Sequence, residues 1–248
     1  MKNLKTIVCL ILLTLPQLSS AQAAIIAMIF GDKVASENFN ISMEIGVPFN
    51  SFSNLEHSKI KNGINFGIAG NIKFSDNWFL SPTVYFLSSR TTNLSSASLM
   101  SEDAYLNAIY QDVPATYKLN YTDVNVLVAY QPTGSNFRFG LSPQISFLGK
   151  ARAEYEGSEG DFSQNIKSYT NKTDYGIIAN LGYYLKAGND GKGIIFNLRY
   201  YQGFTDVFKD SFAAGNNRSS YFAVHVSLPF ITDALAQKNL DEVELEKK

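Results

Sequence analysis

Between Phe39 and Phe230, apolar side chains recur at every second position in eight separate stretches. Successive side chains on a strand point to opposite faces, so this period predicts strands with one apolar and one polar face. The first stretch sets Phe39, Ile41, Met43, Ile45 and Val47 against Asn40, Ser42, Glu44 and Gly46. The fifth sets Phe137, Phe139, Leu141, Ile145 and Phe147 against Arg138, Gly140, Ser142, Gln144 and Ser146. The eighth sets Phe222, Val224, Val226, Leu228 and Phe230 against Ala223, His225 and Ser227. In this register the apolar faces carry no charge, as a lipid face requires: an Arg or Lys at mid-bilayer costs roughly 2–4 kcal/mol. The charges collect on the opposite faces, at Glu44, Lys73, Asp123, Arg138, Asp174 and Arg199.

The connections alternate in length. Residues 75–77, 132–135 and 188–192 are short and rich in Asn, Asp, Gly and Pro, the chemistry of tight turns. Residues 49–62, 90–120, 148–173 and 205–220 form the long ones. Short periplasmic turns and long external loops mark outer-membrane barrels. The expected fold is therefore all-β: an eight-stranded antiparallel up-and-down transmembrane β-barrel in the cell outer membrane. Both termini fall on the periplasmic side. A soluble sandwich or lipocalin-like barrel would also alternate, but it explains neither the clean apolar faces nor the charged opposite ones. Trp78, Tyr130, Phe137, Tyr183 and Phe230 sit near strand ends beside the short turns, where amphipathic rings favour the headgroup level.

The ends of the chain read differently. Lys2 and Lys5 precede a short apolar core at 6–15, Pro16 breaks it, and Ala21-Gln22-Ala23 suits signal-peptidase cleavage. The expected division is a signal peptide at 1–23, an N-terminal periplasmic segment with helical potential at 24–38, the barrel at 39–230 and a charged periplasmic tail at 231–248. The single cysteine, Cys9, lies inside the leader, so the mature chain has no thiol chemistry. Beyond the leader there is no run of about 18 apolar residues, the length that marks a membrane helix. Aromatic residues make up 13% and charged residues 17% of the chain, the latter below the roughly 25% of soluble domains. A net charge of -1 offers nothing to a nucleic acid.

An eight-stranded barrel has an interior just wide enough for side chains to fill it. The polar faces predict a lumen charge network of Glu44, Arg199, Asp123, Arg138 and Asp174. Glu44 and Arg199, at similar depth on the first and seventh strands, are expected to pair across it, directly or through a neighbour, since each alone would be costly to bury. Tyr105, Tyr110, Tyr117 and Tyr155 are candidate external-loop contacts. Residues 150–161 have the composition to continue as strands above the membrane. Expected partners are outer-membrane lipid and a protein bound at the external loops or the periplasmic tail.

His225-Val226-Ser227 resembles the His-x-Ser of outer-membrane lipid A deacylases. The register puts both residues in the lumen near the periplasmic end, whereas such an enzyme works at the outer, lipid-facing surface. No catalytic residue, cofactor or metal site is expected. The alternatives to a structural or interaction barrel are a narrow solute or ion channel and a lipid A-modifying enzyme.

The stretch Ile29-Phe30-Gly31-Asp32-Lys33-Val34-Ala35-Ser36-Glu37, then Ile45-Gly46 and Gly63-Ile64-Asn65-Phe66-Gly67, resembles the PorT-type outer-membrane β-barrel family. The resemblance spans nearly the whole mature chain. It implies a barrel without assigned catalytic residues and a link to protein secretion.

Overall fold

The computed structural model describes residues 35–245. The leader, most of the 24–38 segment and the last three residues of the tail lie outside them. In chain order the strands are β1 (Phe39–Phe52), β2 (Ser58–Asn62), β3 (Asn65–Lys73), β4 (Trp78–Ala97), β5 (Val113–Tyr130), β6 (Phe137–Gly157), β7 (Gly160–Asn165), β8 (Thr173–Leu185), β9 (Ile194–Asp206) and β10 (Arg218–Phe230). A short helix α1 (Ala104–Ile109) precedes β5, and α2 (Asp233–Leu245) follows β10.

Every pairing is antiparallel, and β1 closes on β10 from Ile41 opposite Phe230 to Phe52 opposite Ser219. Closure leaves no unpaired edge in the hydrocarbon, where an unsatisfied backbone group costs several kcal/mol. The ring has eight staves, with β2 and β3 sharing one and β7 standing outside as a partner of β6. The shared stave breaks at Gly63, where any Cβ would collide with the backbone of Ser89.

The outward side chains form an exposed apolar band that includes Phe66, Ile68, Val126, Phe139, Leu141 and Phe196. At its short-turn end, aromatic rings pair across neighbouring strands: Trp78 with Tyr130 at 5.1 Å and Phe137 with Tyr183 at 5.0 Å between ring centroids. Among the described residues no helix is long and apolar enough to cross a membrane; the strands cross it.

The staves differ in height, and this corrects the loop boundaries expected at 90–120 and 148–173. β4, β5 and β6 run to 20, 18 and 21 residues, against 13 in each of β8, β9 and β10. The excess is about 17–27 Å of strand, and it stands beyond the hydrocarbon. There the polarity inverts. Tyr117 and Leu119 of β5 and Ala151, Ala153 and Tyr155 of β6 point inward and are buried, while Lys118 and Arg152 point out. With water outside, an apolar face is stable only when turned inward. Phe52, Leu94, Tyr117, Leu119, Tyr155, Ile166 and Phe208 pack into one apolar core that caps the ring. β1 likewise runs through Phe49, which had been placed in the first long connection; the true turn at 53–57 contains Asn54 and His57 at positive φ.

Candidate functional site: the charged lumen

Three arginines enter the lumen at three depths. The uppermost, Arg90 of β4, was expected at the start of an external loop. It lies instead in the barrel interior, buried to 1% exposure. A β-bulge in β4 between Tyr85 and Ser88 shifts its pairing with β5 by one residue. Such a shift moves every following side chain to the other face. Without it Arg90 would share the lipid face of Trp78, Leu80 and Phe86.

Arg90 binds Asp174 of β8 through Nη1, which also donates to Ser219 Oγ at 2.7 Å. Its Nη2 donates to Ser146 Oγ at 2.6 Å and to Asp123 Oδ1 of β5 at 3.4 Å. The guanidinium lies over the rings of Tyr121 at 4.4 Å and Tyr201 at 4.8 Å. Asp174 accepts further bonds from Tyr201 Oη at 2.8 Å, Thr205 Oγ1 at 2.6 Å and Ser219 Oγ at 3.0 Å. Asp123 accepts one from Gln144 Nε2 at 3.2 Å. Two carboxylates and a ring of hydroxyls thus compensate one buried cation, as an ion pair needs when removed from water.

Below it, Arg199 of β9 has Nη2 3.4 Å from Glu44 Oε2 of β1. Arg199 also donates to Asn180 Oδ1 at 2.9 Å and to the hydroxyl of Tyr85, and Ser42 Oγ donates to Glu44 Oε1 at 2.8 Å. His225 is buried beside this pair, with Nδ1 3.3 Å from Tyr85 Oη and Nε2 3.5 Å from Asn65 Nδ2. Ser227 accepts from Asn197 Nδ2 at 3.0 Å. Each member of the His-x-Ser spacing is therefore engaged with lumen neighbours.

Arg138 of β6 is different. Among the described residues no carboxylate pairs with it. Its Nε donates to Gln131 Oε1 at 2.7 Å, and its guanidinium lies over Phe79 at 4.0 Å and Tyr184 at 5.0 Å. The expected network of five thus divides into a Glu44–Arg199 pair, an Asp123 and Asp174 pair gathered by Arg90, and a separate Arg138. Arg138 lies between a small lumen cavity of about 20 Å³ and a vestibule of about 770 Å³ at the short-turn mouth. Helix α2 lies across that mouth, tied by Lys238 to Glu37 at 2.6 Å and by Glu242 to Lys186 at 2.6 Å. The Lys238 ammonium holds the exposed Glu37 carboxyl below its ordinary range, and Glu37 raises Lys238 in turn.

Of the four tyrosines expected as external contacts, only Tyr105 is exposed, at 71%. Tyr110, Tyr117 and Tyr155 are buried in the apolar cap. Tyr117 and Tyr155 lie on inward positions of β5 and β6, above the expected strand ends, and Tyr110, at the end of α1, packs against Tyr155 and Phe162. Among the described residues no group of His, Cys, Asp and Glu is arranged to hold a metal ion.

The family model for the outer membrane protein beta-barrel domain matches residues 21–209. Among solved structures, the chain is similar to Ail, the attachment invasion locus protein of Yersinia pestis, with 8% identity and a TM-score of 0.41 over 79% of this chain and 100% of that one. It is similar to neisserial surface protein A with 11% identity and a TM-score of 0.43 over 77% and 99%. It is also similar to OprG of Pseudomonas aeruginosa with 13% identity and a TM-score of 0.39 over 79% and 97%. No curated protein matches.

Proposed function

The chain belongs to the outer membrane protein beta-barrel domain family and resides in the outer membrane, and on that premise we propose that it is a closed, non-enzymatic barrel with a structural or interaction role. Within the family we place it with the PorT-type barrels, on the strength of the Phe30 to Glu37 stretch, and assign it a part in secretion or envelope assembly. The division into leader, periplasmic segment, barrel and tail belongs to the same reading. So does the role given to the lumen charges, which is to seal and order the interior.

One observation carries the proposal. The lumen is occupied beneath the cap by Arg90, Asp123 and Asp174, each at most 1% exposed, and the apolar core lies directly above them. An ion entering the vestibule meets first Arg138, then the Arg199–Glu44 pair and then this layer. A channel would need a wet path past all three. A lipid-acting enzyme would need reactive groups at the bilayer surface, whereas His225 and Ser227 are interior.

Planar-bilayer recording of the folded full chain tests the reading. It should show no unitary conductance steps at either polarity. Reproducible steps that disappear when Glu44 and Arg199 are replaced would establish a channel instead. An altered lipid A mass profile in cells lacking the gene would favour the enzyme.

A further inference from the structure

The outward face of the ring changes chemistry abruptly at one height. On β6 the last lipid-facing apolar side chain is Phe147, 45% exposed. An extra residue, Gly149, then shifts the pairing with β5, and the next outward positions are Lys150 and Arg152, both exposed. On β5 the outward series of Val126 and Val124 gives way to Asn120 and Lys118. The register places Lys118 directly opposite Arg152 and Asn120 directly opposite Lys150. Lys167 reaches the same spot from a 3₁₀ turn, donating from Nζ to the Gly149 carbonyl at 2.7 Å. Four cations therefore share this patch with one carboxylate, Glu154, which pairs with Lys118 at 2.5 Å.

Sheet stability does not account for the arrangement. Like charges directly opposite on antiparallel strands weaken the pairing. Their height does account for it. Lys150 stands three residues beyond Phe147, about 10 Å of strand or about 7–8 Å of height at a barrel tilt of roughly 35–45°, and the polar zone of a bilayer occupies roughly 5–8 Å beyond each side of the hydrocarbon. Long basic side chains at this level reach headgroup phosphates while the apolar band below lies against acyl chains.

We propose that Lys118, Lys150, Arg152 and Lys167 form a binding site for the phosphate of anionic lipid headgroups in the outer leaflet. The guanidinium of Arg152 supplies a bidentate fork, and the lysines supply point charges around it. The site anchors the tall β4–β6 wall to the membrane surface.

The folded full chain is placed in nanodiscs of equimolar phosphatidylglycerol and phosphatidylcholine, and retained lipids are identified by native mass spectrometry. Phosphatidylcholine carries the same phosphate beneath a neutralising choline, so it reports charge selection. The native chain is expected to retain phosphatidylglycerol preferentially. The K150Q/R152Q variant should lower that preference about tenfold or more, since each cation near a charged surface contributes roughly fivefold. The K59Q/K61Q variant, which removes the same charge from β2, should keep it. Equal retention of the two lipids by the native chain, or an unchanged preference in K150Q/R152Q, overturns the proposal. Protection of the patch by inorganic phosphate without any phosphatidylglycerol preference also overturns it, and assigns a soluble anion instead. Heat-modifiable mobility verifies folding; should the double variant fail to fold, K150Q and R152Q are compared singly on the same readout.

Discussion

Arg90 and Arg138 enter the same lumen, yet their surroundings have little in common. Arg90 meets two carboxylates, two serine hydroxyls and the faces of Tyr121 and Tyr201. Arg138, nearer the short-turn mouth, meets one amide and two rings. The difference follows depth. Directly beneath the apolar cap, a lone cation would carry a desolvation penalty of several kcal/mol, and opposite charge with hydrogen bonds to Nη1 and Nη2 offsets it. At the mouth, the vestibule of about 770 Å³ admits water, which solvates a guanidinium without a carboxylate. Depth in the lumen, more than residue type, sets what each arginine requires.

Replacement of Arg90 should show the largest effect. Arg90→Met leaves Asp123 and Asp174 buried without their cation and is expected to destabilise the barrel by about 3–5 kcal/mol. Urea unfolding in lipid vesicles measures it, and a loss below about 1 kcal/mol would place water beside Arg90. Next comes Tyr201→Phe, which removes only the hydroxyl bonded to Asp174 at 2.8 Å. A hydrogen bond to a charged group contributes about 1.5–3 kcal/mol, so the same titration should resolve it. Arg138→Met should cost about 1–2 kcal/mol, the worth of its stacking on Phe79 and of its hydrogen bond to Gln131. A cost equal to that of Arg90→Met would erase the contrast between the two depths.

The smallest effect is local to the mouth. Glu37 titrates lower in the folded chain than its ordinary 4.5, because Lys238 bonds to it. The tether is therefore fully present above 4.5 and is lost as pH falls through the lowered folded value. Lys238 behaves inversely: its contribution is complete below 10.5 and disappears as pH rises through the raised folded value. Protection factors of the α2 amides, with the intrinsic pH dependence of exchange divided out, should be highest between these limits and fall beyond each, while the strands stay protected. Unchanged α2 exchange in Lys238→Gln would show that other contacts hold the helix.

Much of the lumen was legible from alternation. Glu44 and Arg199 fall at similar depth when residues are counted from the short turns, and they lie within 3.4 Å. Arg90 was not legible. It follows an even-numbered series of lipid-facing residues, and only the bulge between Tyr85 and Ser88 turns it inward. Nothing local in the sequence announces that bulge, since it is defined by what β5 places opposite. Tyr117 and Tyr155 were misplaced for a related reason. Period two persists above the membrane, but solvent replaces lipid outside, and the apolar face turns from outward to inward.

The order of the residues by itself determined the staves, their alternation, the short-turn end and the even count. These depend on period and turn chemistry, which act within a few residues. The tertiary structure decided which face looks inward at each height, which arginine meets which acid, and how far the wall formed by β4, β5 and β6 rises. Facing is a relation between neighbouring strands and the medium around them. A one-residue shift in register, or the passage from hydrocarbon to water, reverses it without changing the local pattern.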